Sequence, residues 1–260
     1  MRLYKKYVYY LLKSEFQYKY SFTMMLIAQF LQYFPLLAGI YLLFERFGSI
    51  QGWTLYEVFM CYAVVGMCHA ISECFARGFD KFPDMIRTAS FDRVLVRPRG
   101  SILQVLGSGF DIKRAGKFIH GALVLALAIA GADITWDAVK IIMLVNMNIG
   151  GSFIFTGIYM LQAALTFVTI EGLEVANIFS HGIRQHASYP LNIFPRWITI
   201  FFTFIIPFGT INYLPLQYLL GKIGGAGWLY AALPLAGALF ILPCIFIWNL
   251  GVRRYASAGS

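Results

Sequence analysis

Six long runs of this sequence carry almost no charge, and that feature decides the medium in which the chain can fold. They are Phe22–Phe44, Leu55–Cys74, Phe118–Ala132, Ile141–Val168, Trp197–Tyr213 and Trp228–Leu250. A helix needs about 20 mostly apolar residues to cross the hydrocarbon layer of a bilayer, where its backbone groups must pair within the segment. The runs are continuously apolar and do not alternate every second residue, which argues against a β-barrel. Composition agrees, with 59% hydrophobic and 13% charged residues and a mean hydropathy of +0.68. Soluble domains carry about 45–50% apolar and about 25% charged residues, so too little polar surface is present to cover one. The expectation is an all-α integral membrane protein with six transmembrane helices. The third run is short, the fourth long, and the fifth holds Pro207.

Basic residues collect on the cytoplasmic side of membrane proteins. Arg2, Lys5, Lys6, Lys13 and Lys19 precede the first run, and nine more, from Arg77 to Lys117, follow the second. Arg184 and Arg196 follow the fourth run, and Arg253 and Arg254 the sixth. Together these are 18 of the 21 Lys and Arg, leaving Arg46, Lys140 and Lys222 for the opposite loops. Eight acids, including Glu73, Asp111, Glu171 and Glu174, fall on the basic side, so the net +9 divides into +10 inside and −1 outside. Both termini are therefore expected in the cytoplasm, and the charge is expected to meet anionic lipid, not nucleic acid. Trp53, Trp136 and Trp228 are expected at the outer boundary and Trp197 and Trp248 at the inner one, where indoles favour the interface.

The N-terminus lacks the apolar run and cleavage site of a signal peptide. Tyr4, Tyr7, Val8, Leu11 and Leu12 repeat at helical spacing, with Lys6 and Lys13 off that stripe. Residues 1–21 therefore read as an amphipathic helix lying in the cytoplasmic interface. Residues 22–251 form the membrane domain, with a cytoplasmic loop over 75–117, and 252–260 are a cytoplasmic tail.

No catalytic constellation emerges. Cys61, Cys68, Cys74 and Cys244 form no CxxC pair and read as small buried hydrophobes. His69, His120, His181 and His186 include no i, i+4 ligand pair, and His181 and His186 flank Arg184 in what reads as a solvated segment. The nearest approach to a P-loop runs from Gly109 to Gly116-Lys117-Phe118, which is two residues too long and has Phe at the hydroxyl position. Any ATP-driven activity would need a separate ATPase holding the ATP and Mg, and no cofactor or metal is expected in this chain. Polar residues inside spans are candidates for a translocation path or for helix contacts. They are Gln29 and Gln32 in the first run and Asn146 and Asn148 in the fourth. Glu73 reads as an i+4 partner of Arg77. Ala122, Ala126 and Ala130, and Ser152 and Thr156, form small-residue faces suited to close helix contact.

The loop after the second run interleaves Phe79, Phe82, Met85, Ile86, Phe91, Val94, Leu95, Ile102 and Leu106 with nine basic residues. Such apolar content suggests short helices that dock on something. Here the chain resembles the bacterial ABC exporter permeases of the second type. The residues carrying the likeness are Arg46-Phe47-Gly48, Gly52-Trp53-Thr54-Leu55-Tyr56-Glu57 and Phe91-Asp92-Arg93-Val94-Leu95-Val96-Arg97-Pro98. Further blocks are Tyr189-Pro190-Leu191-Asn192-Ile193, Ile206-Pro207-Phe208, Asn212-Tyr213-Leu214-Pro215 and Leu219-Leu220-Gly221-Lys222. Ala89 departs from the family pattern, which has Gly there, so the preceding helix is expected to end differently.

The resemblance implies a non-catalytic permease half that pairs with a second, identical or homologous permease and with P-loop ATPase subunits. It implies an interfacial helix at Tyr4–Tyr18, a coupling helix within Lys81–Leu106, and a re-entrant segment at Gly209–Gly227 between spans five and six. ATPase coupling would fall to Phe91, Asp92, Arg93, Leu95, Arg97 and Pro98, and the re-entrant backbone to Pro207, Asn212, Tyr213 and Pro215. Cargo is expected to be amphipathic or lipid-like. The alternatives are a secondary transporter or channel without an ATPase, and a structural membrane partner.

Overall fold

The computed structural model describes residues 2–169 and 182–256, which hold helices and no strand. Glu171, Glu174, His181 and the last four residues of the tail lie outside the described residues. In chain order the helices are α1 (Arg2–Gln17), α2 (Lys19–Leu31), α3 (Phe34–Phe47), α4 (Leu55–Asp80), α5 (Phe82–Arg87), α6 (Asp92–Leu95), α7 (Ser101–Ser108), α8 (Ala115–Gly131) and α9 (Ala138–Leu165). A bent pair, Arg196–Ile205 and Gly209–Leu219, and a final segment, Gly227–Arg253, complete the fold.

Among the described residues, five segments are long and apolar enough to span a membrane: Lys19–Phe47, Leu55–Arg87, Ile112–Gly131, Ala138–Leu165 and Gly227–Arg253. They match the first, second, third, fourth and sixth runs. The first bends at Gln32 and Tyr33 because Pro35, in the opening turn of α3, has no N–H to give the helix. A capping box of Thr54 and Glu57 starts α4, which continues past Cys74 to Asp80. This helix is the spine of the bundle, packed against α8 on one side and α9 on the other. The final segment packs on the far side of α9 through Gly150 and Gly237, where a Cβ on either would strike backbone of the other segment. Of the expected alanine face of the third span, Ala122 packs against the core, whereas Ala126 and Ala130 are exposed. Gly121, Val124, Leu125 and Ala128 are the buried side.

The fifth run requires a correction. Trp197–Tyr213 is not one crossing, because its two legs meet at 88°. Pro207 supplies no N–H and holds Ile206 extended, at φ −116° and ψ 96°. Both outer ends of the pair lie at the same end of the bundle. On the way in, Thr199 donates to Leu191 O, and the next residue, Asn192, accepts the indole N–H of Trp53 at 2.9 Å. On the way out, Tyr213 packs near Trp53, and Lys222 reaches Gly52 O at 2.7 Å and Glu57 at 2.8 Å. The tip lies deep, with Phe208 against Phe155, past the midpoint of α9. The pair is thus a re-entrant V, beginning earlier than the expected Gly209–Gly227.

Phe167 packs at the opposite end of the bundle, beside Phe82 and Trp248. Phe167 and Asn192 therefore lie at opposite ends of the bundle. Consequently Arg196 and Trp197 belong with Trp53, not with the basic end. Arg184 sits inside the bundle, 4.7 Å from the Tyr33 ring centre. His186 packs on Phe194 and Phe202 and is half-buried, not in a solvated loop. Trp53 and Trp248 are buried, not half-wet.

Candidate functional site: an aromatic lock under an exposed basic prong

The sequence 75–117 folds back on its own bundle. Phe79, Phe82, Phe91 and Trp248 are fully buried and form one aromatic cluster with Phe167 and Tyr255. Ring centres lie 4.9 Å apart for Phe82 and Phe91, 4.7 Å for Phe82 and Trp248, and 5.2 Å for Phe91 and Tyr255. Burial of this aromatic surface is the main force holding α5 and α6 to the ends of α9 and the final segment. Phe91, expected among the coupling residues, therefore faces inward and cannot be a docking knob. Asp92 accepts the Tyr255 hydroxyl at 2.9 Å, a second tie to the final segment.

The remaining expected coupling residues point away from the bundle. Arg93, Leu95, Arg97 and Pro98 are exposed, and Val96 is 85% exposed. With Arg99 they form a basic prong with an apolar centre. Sequence reasoning missed the residue that holds it: the buried Gln104 of α7 donates to Val94 O and to Arg99 O, both at 3.0 Å, clipping the prong at its two ends. Arg97 also reaches the Tyr7 hydroxyl of α1 at 3.3 Å. Ala89, just before Phe91, adopts the left-handed φ of +50° that Gly would take, so the α5 turn keeps a glycine-like geometry. Tyr4 anchors α1 by donating to Phe75 O at 3.2 Å, and burial pushes its phenol up to about 12, so the donor persists at neutral pH.

Above the lock lies a buried ionic network, also missed. Glu73 meets Lys117 at 2.6 Å, Arg114 at 3.5 Å and His69 at 3.5 Å. Arg77, the expected i+4 partner of Glu73, instead reaches Asp111 at 3.3 Å. Arg114 donates to Gln29 at 2.8 Å, and His69 is flanked by the hydroxyls of Tyr33 at 3.2 Å and Tyr159 at 2.9 Å. Lys113 extends the network to Glu15 of α1 at 2.8 Å. The first three spans, α1 and α9 are thereby cross-linked by polar contacts in an apolar setting, where breaking one pair leaves an unpaired buried charge.

The structure scatters the other expected polar residues. Gln32 is exposed at the bend of the first span, whereas Gln29 joins the network. Asn146 donates to Ala231 O at 2.7 Å, fastening α9 to the final segment. Asn148 donates to Leu144 O at 2.9 Å and lines a cleft of about 630 Å³ bounded by α4, α8 and α9. In the V, Asn212 is buried and donates to Cys61 Sγ at 2.9 Å and Ala187 O at 3.3 Å. Tyr213 accepts from Gln217 at 3.0 Å, and Pro215 opens the short helix that follows. Sequence blocks around Trp53, Asn192, Tyr213 and Lys222 thus converge on one cluster. Among the described residues, no group of three His, Cys, Asp or Glu could hold a metal ion.

Among the described residues, the packed aromatic rings join the exposed basic prong to α9 and the final segment. The family model described as ABC-2 family transporter protein matches residues 26–259. No curated protein and no solved structure matches the chain at a significant level. The chain belongs to the ABC-2 family of transporter proteins, as a multi-pass membrane component of an ABC transporter.

Proposed function

We propose that this chain is the permease half of an ATP-driven exporter in the bacterial cytoplasmic membrane, with both termini inside. A separate P-loop ATPase would hold the ATP and Mg, and a second permease, identical or homologous, would complete the membrane unit. The observation that carries this reading is the prong of Arg93–Arg99, exposed at its tip and locked at its base to α9 and the final segment. A partner pressing on Leu95 and Val96 would move two spans together, because Phe82, Phe91, Phe167 and Trp248 pack as one unit. The basic rim of Arg93, Arg97 and Arg99 would set the register on acidic side chains, with each guanidinium able to take a carboxylate in bidentate fashion. The cleft beside Asn148, Ser152 and Thr156, otherwise apolar, supports an amphipathic cargo over a small ion.

One observation favours a second reading. His69, between Tyr33, Tyr159 and Glu73, has the composition of a proton path, as a gradient-driven carrier would need. Reconstitution separates the two. The chain and its ATPase should move a fluorescently tagged phospholipid across vesicles only with ATP, and vanadate should stop it. Movement by the chain alone under a proton gradient would reject the ATP-driven reading in favour of the second.

A further inference from the structure

A groove of about 550 Å³ runs between α1 and α7. Tyr4, Val8 and Leu12 of α1, Leu103 and Leu106 of α7 and Phe75 of α4 line it, and the exposed Lys5 is the main charged residue on its wall. Phe75 is shared with the cleft between α8 and α9, so the groove adjoins a surface at the level of the spans. Apolar walls at that level are solvated by hydrocarbon, not by water. The charge beside the groove is one-sided. The one acid of α1, Glu15, is taken by Lys113, while Lys5 on the groove wall and Lys6, the next residue of α1 and not itself on that wall, have no carboxylate partner among the described residues.

We propose that this groove holds one acyl chain of an anionic phospholipid, with the phosphate against Lys5 and Lys6. The apolar walls supply affinity for the chain, and the two ammonium groups select the headgroup, each contributing roughly fivefold. The bound lipid would bridge α1 and α7, the helix whose Gln104 clips the prong. The lipid would come from the inner leaflet, which rests on the proposed orientation. Detergent micelles have no leaflets, so a negative result removes the site and leaves that orientation standing.

The test is native mass spectrometry of the full chain in a neutral detergent, with phosphatidylglycerol or phosphatidylcholine of identical tails added. Phosphatidylglycerol should be retained at least tenfold better, and the pair K5E/K6E should abolish that preference. Leu103→Trp, which fills the groove and keeps the charge, should reduce retention of both lipids, and Arg254→Glu, at another exposed basic site, should change neither. Equal retention of the two lipids by the wild type overturns the proposal, as does an effect of Arg254→Glu equal to that of K5E/K6E. Unchanged retention by a folded Leu103→Trp protein also overturns it. If Leu103→Trp does not fold, the lysine pair decides the matter alone.

Discussion

Tyr255 donates its phenolic hydrogen to Asp92 at 2.9 Å, joining the end of the last helix to the first residue of α6, 163 positions earlier. Its ring also packs on Phe91 and Phe167. Tyr255→Phe keeps the ring and removes the bond, so it should cost about 1.5–3 kcal/mol, the range for a hydrogen bond to a charged group. Tyr255→Ala should cost more by opening the lock. Thermal unfolding in detergent ranks the two, and equal melting temperatures would deny the aromatic cluster its role.

Glu73→Gln leaves Lys117 buried against a neutral amide. The expected loss is about 3–5 kcal/mol, enough to lower the yield of folded protein sharply. Adding Lys117→Met removes both charges and should recover most of that loss. Fluorescence-detected size-exclusion profiles of the single and double variants give the answer. A double variant no better than Glu73→Gln would mean that the pair itself does not hold the spans.

Gly150 and Gly66 are both helical glycines in the membrane domain with opposite surroundings. A Cβ on Gly150 would strike the Pro234 carbonyl, whereas nothing lies within 4 Å of one on Gly66. Gly150→Ala should therefore destabilise by about 1–3 kcal/mol through overpacking. Gly66→Ala should be neutral or stabilising by up to about 1 kcal/mol, since alanine is the better helix former. Melting temperatures of the two variants should move in different directions.

The re-entrant V predicts which residues share a side of the membrane. Single cysteines replacing Arg196 and Lys222, in a background lacking the four native cysteines, should react with an impermeant maleimide from one side. A cysteine at Arg87 should react only from the other. Arg196 and Arg87 labelled from the same side would restore a straight fifth crossing at Trp197–Tyr213.

Five of the six apolar runs were legible as spans because a long apolar run has one physical outlet. The fifth was not, because the run Trp197–Tyr213 has the same composition whether it crosses or turns back, and only Pro207 marks the tip. The described residues ahead of the V include Arg184 and His186, which look solvated until Tyr33 and Phe202 are placed beside them. The amphipathic N-terminal helix was readable from its stripe. The network was not, since Glu73 offers its neighbours His69 and Arg77 at helical spacing, and its true partner Lys117 lies 44 residues away. Apolar residues after the second span suggested docking but not the target: most dock on this chain, while Leu95 and Val96 of the prong are exposed.

The exposed prong is the proposed seat of a P-loop ATPase. Co-elution of the purified chain with the ATPase co-expressed beside it measures this directly, with melting temperature as the control for folding. Leu95→Asp with Val96→Asp should leave the melting temperature within about 0.5 kcal/mol equivalent of the wild type, as exposed substitutions do, and should abolish co-elution. Phe91→Asp, by contrast, should fail to fold. A folded L95D/V96D chain that still carries the ATPase would contradict the account.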